Sequence, residues 1–312
     1  MKMESVRECK SKVLSQVASM VAMTTNPMGF GSVSVGITRK GKENILALRA
    51  DKASAFGMVA GLVHKLVGGE CEFKVIPEMC AFGNPDDLPD WRQRKNRPLR
   101  IGASIGHYEI TAGTTGCFAQ KGKTVFVLSN NHVLANCDYA KEGDAIYQPG
   151  KHDGGKESDT VAKLTKWVKL QSRGNVVDAA VATLVDGVKY DPSTVHGLGK
   201  LDKRVMHHDE IEPGQEVAKF GRTTGKTLGH ITAIELDNVR VNYGRRGVLG
   251  FKDQIEVTGI GGLYSSGGDS GSCCVMNGSN RPFGLLYAGG GQITLLNYMD
   301  AVVKTLGVEI IG

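Results

Sequence analysis

Apolar side chains recur at mixed helical spacing over residues 3–23, and Asn26-Pro27 ends the pattern. Shorter runs follow: GSVSVGITR, ILALRA and CEFKVIP read as strands, and KASAFGMVAGLVHKLV, stopped by Gly68-Gly69, reads as a helix between the second and third. The pattern predicts an N-terminal helix within residues 1–28 and a small α+β domain over 29–82. Residues 83–100, GNPDDLPDWRQRKNRPLR, hold three prolines with a block of acids and a block of bases, and read as a linker that lets residues 1–99 move independently.

Beyond residue 100 the texture changes. Short strand-like segments recur with turns between them: YEITAG, TVFVLS, AIYQPG, TVAKLTKWVKL, VVDAAVATLV, EVAKFG, HITAIEL, VRVNY, QIEVTG, CCVMN, GLLYAG and ITLLNYM. Only the tail YMDAVVKTLGV looks helical. Such a series predicts a mainly β fold, a sandwich or a pair of barrels over 101–312, divided near residue 200.

Composition narrows the function classes. The chain has 312 residues, a net charge of +6 and bases spread along its length, so nucleic acid is not the expected partner. No apolar run is long enough for a membrane span. Glu4 and Glu8 interrupt the only candidate leader. Seven cysteines, none in a C-x-x-C pair, imply neither a disulfide framework nor a zinc site, and fit a reducing cytoplasm. Two GKT triplets lack the glycine of a phosphate loop, His207-His208 lacks further metal ligands, and GFGSVSVG precedes a strand instead of opening a helix. No metal or cofactor is expected.

One constellation remains. SSGGDSGSCC crowds Ser270 with glycines, as a sharply bent backbone that excludes other side chains requires. A serine nucleophile requires a base, and SNNHVLAN places His132 just past the end of the strand TVFVLS. A base requires an orienting acid, and Asp178 is the lone charge in VVDAAVATL, where burial demands a hydrogen-bonding partner. An exposed loop histidine and a structurally paired aspartate are the bland alternatives. The order His132, Asp178, Ser270 is one of three known chain orders for such a triad.

GGDSGS resembles the nucleophile loop of chymotrypsin-like serine proteases, and the intervals of 46 and 92 residues are similar to that family's. VAKFGRTTGKTLGHI resembles the GRTTG strand pair of enzymes of the α-lytic protease and streptogrisin type. With SNNHVLAN and SIGHYEITAGTTG, the resemblance extends over roughly residues 100–312 to non-secreted bacterial trypsin-like peptidases. It implies two antiparallel β-barrels and a serine endopeptidase acting on a protein or peptide. His132, Asp178 and Ser270 would be catalytic, and the amides of Gly268 and Ser270 would form the oxyanion hole. Substrate would lie against Tyr264, Ser265, Ser266, Gly267, Tyr287, Ala288 and Gly289. Neither pocket stretch contains an acid, which favours uncharged side chains before the cleaved bond.

Departures from the family carry their own expectations. Val133, Ala218 and Leu228 stand where secreted relatives have cysteines. Tyr287 stands where relatives have a serine that touches the buried acid. Arg100-Ile101-Gly102 is similar to a zymogen cleavage point, but the intact chain is expected to hold Asp269 with polar groups of its own domain. Residues 1–99 are expected to regulate or to bind a partner. The rival functions are an esterase and a binding module that keeps the fold without the reaction.

Overall fold

The computed structural model describes residues 1–22, 33–68, 70–80 and 91–312. Six antiparallel strands in the C-terminal part close on themselves. Glu216–Gly221 pairs with Gly225–Asp237, which pairs with Gln254–Gly259, and Ile293–Tyr298 and Pro282–Gly290 follow in the ring. Cys273–Met276 then joins Pro282–Gly290 back to Glu216–Gly221. The long strand Gly225–Asp237 can serve this curvature because its register slips twice, between Ile231 and Ala233 and between Ala233 and Leu236.

The preceding strands form a second, open unit, so that the whole is a closed six-stranded barrel plus a half-barrel. In the open sheet the order runs Cys117–Lys121, Thr124–Ser129, Ala180–Leu184, Thr160–Trp167, Ala145–Tyr147, Ser104–His107 and Gly113–Thr114. Thr124–Ser129 is buried over its last four residues, which explains why VFVLS is a continuous apolar run and not an alternating one. The helix Met299–Leu306 returns the chain to this sheet, where Glu309–Ile311 pairs with Cys117–Lys121. The segment YEITAG is mostly turn: the strand falls one step earlier, at Ser104–His107.

At the amino end, the helix Met3–Ala22 precedes the hairpin of Ser34–Lys40 and Glu43–Ala50. The helix Ser54–Val67 crosses to Cys71–Val75, parallel to Glu43–Ala50. That helix ends where Gly68 adopts φ +59° and donates its N–H to the His64 carbonyl. These elements do not stand apart. Ser34–Lys40 is hydrogen-bonded to Gly225–Asp237, with Val35 opposite Asp237 and Ile37 opposite Ile234. Beneath the junction, fully buried Arg49 reaches Glu256 of the closed barrel through Nε at 2.9 Å and Nη2 at 3.2 Å. Independent motion of residues 34–75 would tear this sheet and strand a buried charge, at a cost of several kcal/mol.

The stretch expected as a linker is described only from residue 91. There Trp91 stacks on Phe220 at 5.5 Å, Arg92 donates to the Thr223 carbonyl, and Leu99–Arg100 pairs with Tyr190–Asp191. Of its bases, Arg92 thus reaches the closed barrel and Lys95 the open one, through Asp159 at 2.6 Å, while Arg94 and Arg100 are exposed. No helix among the described residues is long and apolar enough to cross a membrane.

Candidate active site

The strand Thr124–Ser129 gives way at once to the four-residue helix Asn131–Leu134, and this turn positions His132. The two asparagines before it are braces. Asn130 donates to the Asp178 carbonyl at 2.8 Å, while Asn131 donates to Asp138 at 2.6 Å and to the Val168 carbonyl at 2.8 Å. His132 is buried, with Nδ1 2.5 Å from Asp178 Oδ2 and its backbone N–H donating to Oδ1 at 3.2 Å. Both carboxylate oxygens therefore grip one residue, which fixes the ring's plane as well as its position.

Asp178 is fully buried, and its remaining partner is one that sequence reasoning missed. Tyr243 Oη donates to Asp178 Oδ2 at 2.7 Å, with its ring edge-on to His132 at 5.9 Å. Burial, reinforced by the Asp178 charge, pushes the Tyr243 phenol well above its ordinary pKa, so it remains a donor. The residue expected in this role, Tyr287, instead packs its buried ring on Phe251 at 4.8 Å, and its hydroxyl has no partner among the described residues. Nothing local in VNYGRRG marks Tyr243. It reaches the site because the hairpin of Val239–Asn242 and Val248–Phe251 folds over it, held by Arg246, which donates to Asp138 and to the Leu170 carbonyl at 2.7 Å. On the other side of Asp178, its own N–H donates to Asn297 Oδ1 at 2.9 Å.

Ser270 lies in a loop wedged between the barrels. Its carbonyl accepts the Thr114 N–H at 2.8 Å, and Thr114 Oγ1 donates to the Gly268 carbonyl at 2.8 Å. A Cβ on Gly113 would sit 2.5 Å from a Val133 methyl carbon and 3.0 Å from the Ser270 carbonyl oxygen, so a glycine there lets the His132 helix and the Ser270 loop approach each other. Gly268 takes φ +90°, and Gly271 φ +93° with Ser129 Oγ only 1.9 Å from where a Cβ would stand. Among the described residues, neither the Gly268 nor the Ser270 amide donates to a protein acceptor, and Ser270 Oγ makes no hydrogen bond. Paired free amides beside an unengaged hydroxyl can receive an oxyanion.

The GRTTG segment explains itself at Asp269. A Cβ on Gly221 would lie 2.4 Å from Asp269 Oδ1, while Thr223 N–H and Thr224 N–H donate to that oxygen at 2.9 and 3.2 Å. Thr224 Oγ1 and the Ser266 N–H serve Oδ2 at 2.7 and 3.0 Å, and buried Lys219 Nζ lies 3.2 Å from it. Burial alone would raise the Asp269 pKa, but the Lys219 charge and these hydrogen bonds together hold it below the ordinary carboxylate value. All of these groups belong to the closed barrel. Ile101 is packed in the core of the other barrel. The arginine of the same motif ties the barrels together: Arg222 Nε donates to Asp153 at 2.7 Å, its Nη2 pairs with the other carboxylate oxygen, and its backbone N–H donates to Thr114 Oγ1 at 3.0 Å.

Of the residues expected to meet substrate, Ser265, Ser266, Gly267 and Gly289 are at least partly exposed. Tyr264, Tyr287 and Ala288 are buried, so those three can offer substrate only their main chain. Ser265 Oγ lies 2.7 Å from Thr294 Oγ1, beside Gly289. A cavity of about 770 Å³ lies elsewhere, beside His208, Asp253, Asp300 and Gly307, and contains none of the residues of the constellation.

Comparison with solved structures places the architecture. Protease A of Thermobifida fusca aligns over 68% of this chain and 98% of its own, with a TM-score of 0.50 and 16% identity. A glutamic acid specific serine protease, described as using a novel histidine triad in substrate binding, aligns over 68% of this chain and all of its own, with a TM-score of 0.50 and 19% identity. No family model and no curated protein sequence matches the chain. The chain has the double-barrel fold of bacterial chymotrypsin-like serine proteases.

Proposed function

We propose that the protein is a serine endopeptidase. Ser270 Oγ attacks the carbonyl carbon of a peptide bond while His132 takes the hydroxyl proton, and the Gly268 and Ser270 amides receive the oxyanion. His132 then gives the proton to the leaving amine, and water, deprotonated by His132, hydrolyses the acyl-enzyme. Asp178 fixes the histidine's tautomer and stabilises the imidazolium that forms in each half. The observation that carries this reading is the buried His132–Asp178 contact of 2.5 Å, reinforced by Tyr243, beside a loop whose amides are unengaged.

A protein or peptide substrate follows from this fold and mechanism, with uncharged side chains preferred before the cleaved bond. A cytoplasmic, reducing setting belongs to the same proposal, supported by six free thiols at Cys9, Cys71, Cys117, Cys137, Cys273 and Cys274. The test is a peptide library incubated with the full chain and with Ser270→Ala. Cleavage by the first alone supports the proposal. Hydrolysis of small esters without any peptide cleavage would make the protein an esterase, and inertness toward both would make it a binding module. A profile dominated by arginine would contradict the side-chain preference.

A further inference from the structure

Met79–Cys80 is a strand inserted between two others. It runs parallel to Val239–Asn242, with Met79 opposite Val241 and Cys80 opposite Asn242. On its other side it runs antiparallel to Pro282–Gly290, with Cys80 opposite Gly289. The residues before it keep the same path: a Cβ on Gly290 would lie 2.5 Å from the Glu78 carbonyl oxygen, and one on Gly291 would lie 2.9 Å from the Pro77 ring. Asn242 Nδ2 donates to the Glu78 carboxylate at 3.0 Å, and Met79 is buried in the apolar cluster that includes Tyr287 and Ala288.

The direction of this segment is informative. The nucleophile loop is bonded to the barrel strand at Leu286, whose carbonyl accepts the Gly271 N–H at 2.8 Å and whose N–H donates to the Ser272 carbonyl at 3.0 Å. The barrel strand therefore leads away from Ser270 between Leu286 and Gly291. The segment from Pro77 to Cys80, lying antiparallel, advances toward Ser270. It spends its main-chain bonds near Gly289, on the partly exposed edge where the resemblance places substrate. Adding a strand to a sheet edge is how extended peptides are commonly bound, with main-chain bonds giving affinity and alternate side chains entering pockets.

We infer that residues 77–80 are a resident competitor for substrate. They fill the slot between Asn242 and Gly289, and an incoming peptide must displace them. The slot accordingly fits an extended peptide that carries an apolar side chain at the place of Met79. Two residues of strand make few ladder bonds and Pro77 has no N–H to add, whereas Ser34–Lys40 and Glu43–Ala50 hold the rest of the region to the barrel. This inference rests on the protease reading.

The test uses the full chain with Met79→Ser, which weakens the buried anchor, and Cys80→Pro, which removes a strand N–H. Both variants should raise kcat/KM toward a library peptide at least tenfold, while the rate at which a small fluorophosphonate labels Ser270 changes less than twofold. Should the variants fail to fold, the wild type decides: modification of Ser270 by a peptidyl phosphonate should speed hydrogen exchange in the stretch 76–80. With labelling intact, unchanged kcat/KM in folded variants, or unchanged exchange on peptidyl modification, overturns the resident strand and leaves the protease reading standing. Failure of the wild type to label overturns the protease reading first.

Discussion

Two carboxylates are fully buried near Ser270, and they are treated in opposite ways. Asp269 has a cation, Lys219, and four hydrogen-bond donors, so its charge is neutralised where it stands and it anchors the loop. Asp178 has no lysine or arginine within ion-pair distance among the described residues; its oxygens are met by His132 and by the neutral hydroxyl of Tyr243. Burying a charge without a compensating cation costs several kcal/mol in stability. The difference teaches where charge is kept available: Asp178 can stabilise a transient imidazolium, whereas Asp269 has nothing left to give.

The comparison breaks most visibly at the chemistry. Ser270→Ala and His132→Ala should each lower kcat for peptide hydrolysis about a millionfold, and Asp178→Asn roughly ten-thousandfold. Asp178→Asn should not cost the fold, because an asparagine can keep the bond to one neighbour without a buried charge; a melting curve alongside the assay checks both halves. Loss of folding with Asp178→Asn would assign it a structural role instead.

Asp269→Ala should do the reverse and act first on stability. It leaves Lys219 buried and unpaired, at a cost of about 3–5 kcal/mol in a denaturant titration. Lys219→Met combined with Asp269→Asn should recover part of that loss, since the cost lies in the orphaned charge. The pH dependence follows from the lowered Asp269 pKa. The folded protein holds the carboxylate below its unfolded value of about 3.9, so the stabilisation is fully present above that pH and is lost as pH falls through the folded value. The stability gap between the wild type and Asp269→Asn should therefore be wide at pH 7 and should narrow only as the pH falls below the unfolded value, through the lower folded one.

Smaller still is Tyr243→Phe, which removes one hydrogen bond to a charged group. A loss of about 1.5–3 kcal/mol corresponds to a kcat roughly ten- to a hundredfold lower with KM nearly constant. A change confined to KM would place Tyr243 in substrate binding instead.

Legibility in the sequence follows the same division. His132, Asp178 and Ser270 could be read because each breaks its surroundings: a histidine at a strand end, one acid in an apolar run, a serine among glycines. The barrels were legible because short apolar runs recur with turns between them, although several of these strands, Thr124–Ser129 among them, are buried continuously and do not alternate. Tyr243 was not, because its role depends on a hairpin folding back across the chain, and a tyrosine among asparagine, glycine and arginine carries no such mark. The pairing of Ser34–Lys40 with Gly225–Asp237 was hidden for a related reason. Alternation predicts a strand but does not name its neighbour, and a partner about 200 residues away leaves no local trace. The resident strand at Met79–Cys80 is too short to show any period.

The central claim is that Ser270 is an activated nucleophile, and the most direct measurement is the mass of the intact chain after exposure to a fluorophosphonate. One adduct should appear, map to the peptide containing Ser270, and be absent from Ser270→Ala and slowed in His132→Ala. An unmodified chain, or an adduct on another residue that persists in Ser270→Ala, would contradict it.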